Sequence, residues 1–569
     1  MTYFRISGFL AALTALSLLP AFAAIACSSG RDGPTTTRTE LVNAARVPTV
    51  TPSPTHDNPS PTATPTSTAT VTPTEIPTAT PDPEAPTPEP TSTPLPGPTA
   101  TAVAEREAYC REHALPTSTP EPDVTPTIVP TSPPGIADDE VPEEWMVKMN
   151  EIEDWVLDFY EVDPATVGDF NRRFVADEVW KEWRADAVED WANDEDSTID
   201  LWEQINRTLT LLSAESDYVE FISDYQGESY IGLYDSTNRE IVIRGSEGEF
   251  DLEAEIVYVH EYAHYVQNEK YDYVPWGECF EADGDAGSAY RALIEGDASN
   301  TQFVYIDEVI GWDRLDEYFD SNVEEEPAPS PEPVMKRYGD EDNRFTYSVG
   351  SLFVLRVGWD FECESCGSNR EKIDFLFKNP PYTTEQIYHE GKYFKGEGAE
   401  KLRLPGDLMG GDWEQRRGST MGKSRWIALL AALSNVGSDE IEPEHPGWRG
   451  DFGLLLEDAD GRALHLQAAE WENRRFIESL RRTFNDEPRL KPIQAPQRSG
   501  HQPFEELYIW RGDTGAIAMG VMLEPVNRFY TMFLAIGPDL ETVEDAVYAA
   551  RDELETREAI GSIDTGWPD

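Results

Sequence analysis

Two histidines and a glutamate in the middle of the chain have the spacing of a metal-dependent hydrolase. His260 and His264 are four residues apart in the segment DLEAEIVYVHEYAHYVQNEKYDYV, which starts at Asp251 and has helical periodicity. On a helix, such residues leave one face about one turn apart, as two ligands of one zinc ion require. Glu261 adjoins the first histidine, where it can act as general base toward water. The alternative is two core histidines beside a carboxylate, although an unpaired buried glutamate is costly.

A catalytic zinc site needs a third protein ligand. The long metzincin pattern HExxHxxGxxH fails here, because Gln267 and Lys270 occupy the Gly and His positions. None of the four downstream histidines stands in a helical ligand motif. Glu295 in SAYRALIEGDA is the better candidate, because small and apolar residues surround this one carboxylate on a predicted helix. We therefore predict that His260, His264 and Glu295 bind Zn²⁺ with the fourth position open; the alternative for Glu295 is a solvated surface carboxylate.

The order of these motifs resembles that of a known group of enzymes. HEYAH followed by ALIEGDA looks like the gluzincin branch of zinc metallopeptidases, the thermolysin-like arrangement. It is closer still to a group of bacterial extracytoplasmic metallopeptidases with a hairpin before the zinc helix, RALxEGDA after it, and YxxG and EQI-apolar-His segments later. The resemblance covers about residues 227–393 and implies zinc ligands at His260, His264 and Glu295 with Glu261 as base. The matching segments here are Ile231–Asp235, Glu240–Ile243, Arg291–Ala298, Tyr347–Gly350 and Pro381–His389.

Further residues are candidates for supporting roles. An oxyanion formed during peptide hydrolysis needs a hydrogen-bond donor, and Tyr347 and His389 are the candidates. The alternatives are a buried aromatic residue and a surface histidine with ordinary partners. Asp297, two residues after the proposed ligand, is a candidate for orienting a ligating imidazole. We also expect an edge strand beside the zinc helix, at Glu240–Ile243, to accept an extended peptide by main-chain hydrogen bonds.

The N-terminus predicts export from the cytoplasm. Residues 1–27, MTYFRISGFLAALTALSLLPAFAAIAC, combine a weakly basic start, an apolar run and then small residues. Ala24–Cys27 is similar to a lipobox, in which the cysteine becomes lipidated, although Ala24 stands where leucine is usual. We predict a lipid at Cys27 and a location at the outer face of the cell membrane, or secretion. An uncleaved signal anchor is the alternative, because the apolar stretch is nearly long enough to span a bilayer.

Residues 28–138 have the composition of a disordered stalk. Of the 44 prolines, 24 lie between Pro34 and Pro134, mostly among Thr, Ser and Ala. Such a segment cannot bury enough apolar surface to fold and stays extended. Four cysteines remain beyond the predicted lipidation site, and in an exported protein we expect structural disulfides with open connectivity. They are Cys110, Cys279, Cys363 and Cys366.

The chain is strongly acidic. It contains 45 Lys+Arg and 108 Asp+Glu, a formal net charge of −63. Residues 1–135 hold 12 acidic and 6 basic side chains, so −57 belongs to the remainder. A surface this negative repels phosphate backbones, which argues against a nucleic-acid partner. It favours basic or unfolded polypeptides as substrates.

The patterns predict an α+β protein with two parts after the stalk. Residues 139–425 form a zincin-like, predominantly helical domain with a small β-hairpin or sheet beside the HExxH helix. Residues 426–569 form a smaller α+β region with strands at Ala516–Leu523 and Phe529–Ile536 and a helix at Val543–Leu554. No catalytic constellation is evident in the second part.

The sequence thus favours a membrane-tethered, extracytoplasmic zinc peptidase that hydrolyses polypeptides by a Glu-activated water. One alternative is a non-catalytic surface lipoprotein that uses a zincin fold as a binding module. Another is a metal-dependent hydrolase of a different envelope polymer. Intact His260, Glu261, His264 and Glu295 favour an enzyme. The cleavage specificity and the oligomeric state do not follow from the sequence.

Overall fold

A computed structural model describes the part of the chain that follows the stalk. The described residues are 133, 135–137, 140–194, 196–245, 250–273, 277, 280, 283–321, 330, 332–360, 369–495, 504–524 and 528–557. The predicted export signal, most of the predicted stalk and all five cysteines lie outside them. Among the described residues, no helix has the length and apolar character to cross a membrane.

The helices of the described residues are, in chain order, α1 (Glu143–Phe159), α2 (Asp177–Ala192), α3 (Ile199–Thr208), α4 (Tyr218–Ser229), α5 (Leu252–Tyr271), α6 (Gly284–Tyr305), α7 (Trp312–Ser321), α8 (Pro333–Arg344), α9 (Gly350–Leu355), α10 (Asn369–Lys378), α11 (Thr384–Tyr388), α12 (Glu390–Phe394), α13 (Gly422–Ser434), α14 (Ser438–Ile441), α15 (Arg475–Asp486) and α16 (Leu540–Glu553). Short π-helical turns lie at Ile306–Ile310, Phe345–Val349 and Arg356–Asp360, and 3-10 turns at Pro164–Thr166 and Glu442–Glu444.

The strands are β1 (Ile136–Ala137), β2 (Asn171–Val175), β3 (Gly232–Asp235), β4 (Glu240–Arg244), β5 (Lys401–Arg403), β6 (Glu414–Ser419), β7 (Trp448–Glu457), β8 (Ala463–Trp471), β9 (Lys491–Ile493), β10 (Glu506–Arg511), β11 (Ala516–Leu523), β12 (Tyr530–Gly537) and β13 (Glu555–Arg557). Helices and sheets occur together throughout, so the predicted α+β class is confirmed.

The HExxH motif lies on α5, which is buried along most of its length. The Asp251 side chain caps the N-terminus by accepting a hydrogen bond from the backbone N–H of Ala254 at 2.9 Å. Asp272 ends the helix in the left-handed conformation, with φ 50°. Between these ends α5 packs against α1, α6 and the strands β3 and β4. A helix with neighbours on several sides is held rigidly, as a metal-binding helix must be.

Two glycines let α6 approach the segment around Tyr347 at backbone distance. A Cβ on Gly296 would lie 2.4 Å from the carbonyl carbon of Gly350. A Cβ on Gly350 would lie 2.1 Å from the carbonyl oxygen of Ala292. Any larger side chain at either position would push the two backbones apart. The glycines of the EGDA and YxxG motifs are therefore packing residues, and their contact brings Tyr347 to the cavity that Glu295 also lines.

A four-stranded sheet covers α5 in the order β1-β2-β4-β3. Strand β4 is parallel to β2 and antiparallel to β3, so both of its edges are paired. The prediction that Glu240–Ile243 is a free edge is therefore wrong. The outer strand next to α5 is β3, the first arm of the predicted hairpin.

The C-terminal half contains a seven-stranded antiparallel sheet in the order β6-β7-β8-β12-β11-β10-β9. Strand β11 spans the predicted residues, and β12 and α16 differ from prediction by one to three residues at their ends. One face of the sheet packs against α13 and α15, and the opposite face packs against α16. Leu201 and Ile205 of α3 and Met335 of α8 belong to the same apolar core as Trp426 of α13 and Leu534 of β12. The residues on the two sides of the predicted boundary at 425 thus share one core.

Candidate metal centre and its cavity

The predicted ligand atoms meet at one point. Helix α5 contributes His260 and His264 one turn apart, and α6 contributes Glu295 from the opposite side. The Nε2 atoms of both histidines lie 3.1 Å from Oε2 of Glu295 and 3.1 Å from each other. Among the described residues, this is the only group of three His, Cys, Asp or Glu side chains placed closely enough to share a metal ion.

The geometry and the chemistry of the three donors fit zinc. Ligand atoms at about 2.0–2.1 Å from a tetrahedral ion lie about 3.3 Å from one another. The observed triangle of 3.1 Å is close to that size. Two imidazoles and one carboxylate are a ligand set of catalytic zinc sites, in which the fourth position stays open.

The pKa values of Glu295 and His264 are shifted because these two side chains lie close together. Burial acts to raise the pKa of Glu295, but His264 and His260 outweigh it and hold that pKa far below the ordinary value. Burial acts to lower the pKa of His264, but Glu295 raises it to about 9. The carboxylate therefore remains ionised and the site attracts positive charge, whether a proton or a metal ion.

A buried chain of polar side chains orients His264 from behind. Its Nδ1 lies 3.0 Å from Oε1 of Gln267, and Gln267 Nε2 donates to Oδ2 of Asp297 at 3.0 Å. Tyr160 donates to the same Asp297 oxygen at 2.8 Å, and Arg370 donates to Oδ1 at 3.3 Å. With Nδ1–H donating to the amide oxygen, Nε2 of neutral His264 presents its lone pair to the metal position. Asp297 thus reaches His264, a predicted ligand, only through Gln267, which sequence reasoning had noted only as a departure from the metzincin pattern.

Replacement of Gln267 by Met tests this chain of contacts. The variant keeps the side-chain length but removes the acceptor for His264 and one donor to Asp297. We expect zinc affinity to fall about 10- to 100-fold, the usual effect of losing a partner behind a ligand. Competition with a chromophoric chelator measures the affinity. The matched control is Asn268→Met on the next, partly exposed position; equal losses in both variants would contradict the orienting role.

Glu261 lies at the centre without belonging to the ligand triangle. Its side chain is buried, and burial raises its pKa, while the neighbouring His260 and His264 and a backbone hydrogen bond from Tyr234 act in the opposite direction. Strand β3 passes directly over it: a Cβ on Gly232 would lie 2.8 Å from Oε1 of Glu261 and 2.5 Å from Cγ1 of Val257. Gly232 thus allows the edge strand to run within contact distance of the base.

The centre opens into a cavity of about 880 Å³. One wall is β3 with Gly232, Leu233 and Tyr234, and another is the face of α6 that carries Glu295. Apolar residues of α3, α13 and the seven-stranded sheet line the far part, including Trp202, Trp426, Leu429, Leu455 and Leu534. The C-terminal region therefore contributes to the cavity, although its sequence contains no catalytic motif.

Three tyrosines surround the ligands. Tyr347 lies with its ring centroid 6.1 Å from that of His260, and burial together with Glu295 raises its pKa well above the ordinary value. Its hydroxyl makes no hydrogen bond to any residue that the structure describes. Tyr230 and Tyr273 also line the cavity, and burial and Glu295 raise their pKa values, which Arg291 opposes at Tyr230. The sequence analysis missed both, although Tyr230 directly precedes the hairpin.

The structure does not bring His389 to this centre. Its Nε2 lies 3.0 Å from Nζ of Lys423 and 3.1 Å from Oε1 of Glu442, and Glu385 completes the group. Lys423 is fully buried, so the two carboxylates compensate its charge, while the His389 imidazole lies within hydrogen-bond distance of its ammonium group. The prediction that His389 donates to the oxyanion is therefore wrong. His389 belongs instead to a structural ion cluster around Lys423.

No protein-family model, curated protein or solved structure matches this chain.

Proposed function

We propose that the protein is a zinc-dependent peptidase of the gluzincin type. The observation that carries the proposal is the convergence of His260, His264 and Glu295 within 3.1 Å, with the unliganded carboxylate of Glu261 one residue from the first histidine. A structural zinc site would close its fourth position with another side chain, whereas the described residues supply three. A carboxylate base held beside an open metal position is the arrangement found in hydrolytic metal sites.

Different side chains carry out different steps of the reaction. Bound zinc would lower the pKa of water toward neutrality and polarise the substrate carbonyl. Glu261 accepts a proton from the attacking water and later delivers it to the leaving amine. The burial that raises its pKa suits both steps, because a carboxyl with a pKa nearer neutrality both accepts and releases the proton. Tyr347 lines the cavity, and its hydroxyl, which has no hydrogen bond within the described residues, donates to the developing oxyanion.

The edge strand gives the substrate a place to bind. Strand β3 has one unpaired edge in the described sheet and lines the cavity beside Glu261. An extended peptide can pair with that edge by main-chain hydrogen bonds, which give affinity largely independent of its sequence. This assigns to β3 the part that sequence reasoning gave to β4.

We also propose where the enzyme is located in the cell. Lipidation at Cys27 and the Pro-rich stalk would hold the enzyme at the outer face of the membrane, where polypeptides of the envelope are its substrates. The acidic surface suits solubility there.

Purified protein tests the function directly. We expect about one zinc per chain by elemental analysis and hydrolysis of an unfolded protein that a chelator stops and added zinc restores. Zinc binding without cleavage of any protein or peptide would favour a binding module. Cleavage of an envelope polymer but of no peptide would instead favour the third hypothesis.

Tyr347→Phe removes only the proposed oxyanion donor. We expect kcat to fall about 100- to 1,000-fold, with the zinc content unchanged, because one donor of this kind has that effect in hydrolases. Steady-state kinetics with a quenched-fluorescent peptide provide the measurement. Tyr230→Phe is the control, and a larger loss there than at Tyr347 would exchange their roles.

A further inference from the structure

Three arginines line the same cavity as the metal centre. Arg291 lies on α6, Arg417 on β6 and Arg425 on α13. Apart from Glu261 and the proposed ligand Glu295, Asp283 is the one acidic residue among the described residues that line the cavity. Its Oδ1 accepts hydrogen bonds from the backbone N–H groups of Asp285 and Ala286. Away from the metal centre, the described lining thus holds three arginines and one carboxylate, in a chain whose net charge is −63.

The three arginine side chains lack close acceptors among the described residues. Within the described residues, none of the three side chains makes a hydrogen bond or an ion pair. Carboxylates outnumber cationic side chains by 108 to 45, so most surface arginines would find a partner. The neighbouring Arg416 does so, pairing with Glu457. An unpaired guanidinium in a cleft of an acidic protein is a site for an external anion.

The environment of Arg425 supports this interpretation. Burial acts to lower the pKa of Arg425, but Asp342, Tyr338, Asp285 and Asp451 outweigh it and raise that pKa. None of these carboxylates lies within ion-pair distance of Arg425. Burial raises the pKa of Asp285 well above the ordinary value and that of Asp451 to about 6. Both carboxyls are also engaged by other donors, Thr384 and Trp426 respectively. Among the described residues, no acceptor takes a hydrogen bond from the Arg425 side chain, which lines the cavity.

Helix α6 provides a scale for the positions of the three side chains. Its cavity-lining residues recur every three or four positions and form one face. Arg291 precedes Glu295 by four residues, or about 6 Å along the axis. Nη1 of Arg425 lies 3.0 Å from a Cβ built on Gly284, which precedes Glu295 by eleven residues, or about 16 Å.

Arg417 lies at the same end of the cavity as Arg425, away from the metal centre. Ser419 Oγ accepts a hydrogen bond from the backbone N–H of Gly284 at 3.2 Å. Residues two apart on a strand share a face, and Arg417 and Ser419 both line the cavity. An extended peptide advances about 3.3–3.6 Å per residue. Arg417 and Arg425 therefore lie about four or five peptide residues from the metal position, and Arg291 lies about two peptide residues from it.

We propose that Arg417 and Arg425 bind a carboxylate of a peptide about four or five residues from the cleaved bond, with Arg291 binding a second one nearer to it. The planar guanidinium matches a carboxylate in bidentate geometry, which makes arginine suited to this recognition. The preference deepens the proposed peptidase function and rests on it. It reverses the expectation, drawn from net charge, that basic polypeptides are the favoured substrates.

Binding to the zinc-loaded full chain carrying Glu261→Gln tests the preference without turnover. The probes are fluorescein-labelled twelve-residue peptides with amidated C-termini that differ only in Glu or Gln at alternate positions, plus a Gln peptide with a free C-terminus. We expect the Glu peptide to bind at least about 10-fold more tightly by anisotropy, and the difference to shrink in high salt. Tight binding of the Gln peptide with a free C-terminus alone would place the terminal carboxylate at the arginines instead of a side chain.

Variants assign the effect to the cavity. Arg417→Gln, at an exposed position that tolerates substitution, and Arg425→Gln should each remove most of the Glu preference. Arg416→Gln, on the same strand and paired with Glu457, should leave it unchanged. Equal binding of Glu and Gln peptides, or no binding of either, overturns the proposal.

The two proposals can fail separately. Hydrolysis by the native chain with no charge preference would refute the carboxylate site and leave the peptidase standing. A Glu preference in binding without any hydrolysis would refute the peptidase and keep the anion site. Sequencing the products of an acidic peptide library should further show Glu or Asp enriched at four or five residues on one side of the cut.

Discussion

Replacement of Glu261 by Gln should abolish peptide hydrolysis while the protein keeps its zinc. Gln has the same shape but cannot accept a proton from the attacking water. Loss of a general base of this kind lowers the rate about 100- to 10,000-fold. The expected result is that decrease in kcat/KM, with unchanged zinc stoichiometry by elemental analysis.

The structure explains why the metal should remain. Glu261 is not part of the ligand triangle, and its carboxylate is held under β3, where Tyr234 donates a backbone hydrogen bond to it. The amide oxygen of Gln can accept the same bond. The substitution also replaces a buried carboxylate by a neutral group of equal size, so the fold should not suffer.

Glu253→Gln is the matched control, because this residue lies two turns earlier on α5 and is exposed. It removes the same charge from the same helix and should leave kcat/KM within about twofold, as surface changes normally do. Full activity in the Glu261 variant would contradict its role as base. Loss of zinc in that variant would instead identify Glu261 as a ligand and require a different geometry.

The convergence of His260, His264 and Glu295 could be predicted from the sequence because the spacing that places each side chain on its helix is local. Helical periodicity alone places His260 and His264 on one face of α5, and Glu295 lies on the cavity-lining face of α6. What unites the two helices is apolar packing, which the alternation of small and large residues around Glu295 already indicates. The candidate ligand set could thus be predicted on one assumption, namely that the two helices face each other.

The edge of the sheet could not be predicted in the same way. Strand β4 is interior because β2, some seventy residues earlier, pairs with it in parallel register from Asn171 to Val175. Parallel pairing across a long connection leaves no mark in the short alternating segment itself. The hairpin was predicted correctly, but which arm faces solvent depends on that distant partner.

The meeting of three arginines in one cavity could not be predicted for a related reason. Arg291, Arg417 and Arg425 are far apart in the sequence or on different elements, and each is unremarkable where it stands. Net charge is a sum over the surface and does not report the sign of one cleft. His389 illustrates the opposite error, because a histidine in a suggestive motif is engaged by Lys423 and Glu442.

Replacement of Glu295 by Gln should remove zinc from the site. The amide cannot be ionised, so the site loses a charged ligand and the carboxylate oxygen shared by both histidines. We expect zinc affinity to fall more than about 100-fold, beyond the range typical of partners behind the ligands. Activity at limiting zinc should disappear with it.

Thermal unfolding distinguishes a metal centre from a simple ion pair. A ligand present at 100 times its Kd stabilises the native state by about 2.7 kcal/mol, so zinc should raise the Tm of the native chain and fail to do so in the variant. Glu308→Gln, on the exposed turn after α6, is the control and should keep the zinc response. If the three side chains formed only a structural ion pair, the native Tm would not respond to zinc, and the Glu295 variant would differ from it equally with and without metal. A zinc-dependent difference between the two proteins is therefore the result that separates a binding site for a cation from a site that merely neutralises its own charges.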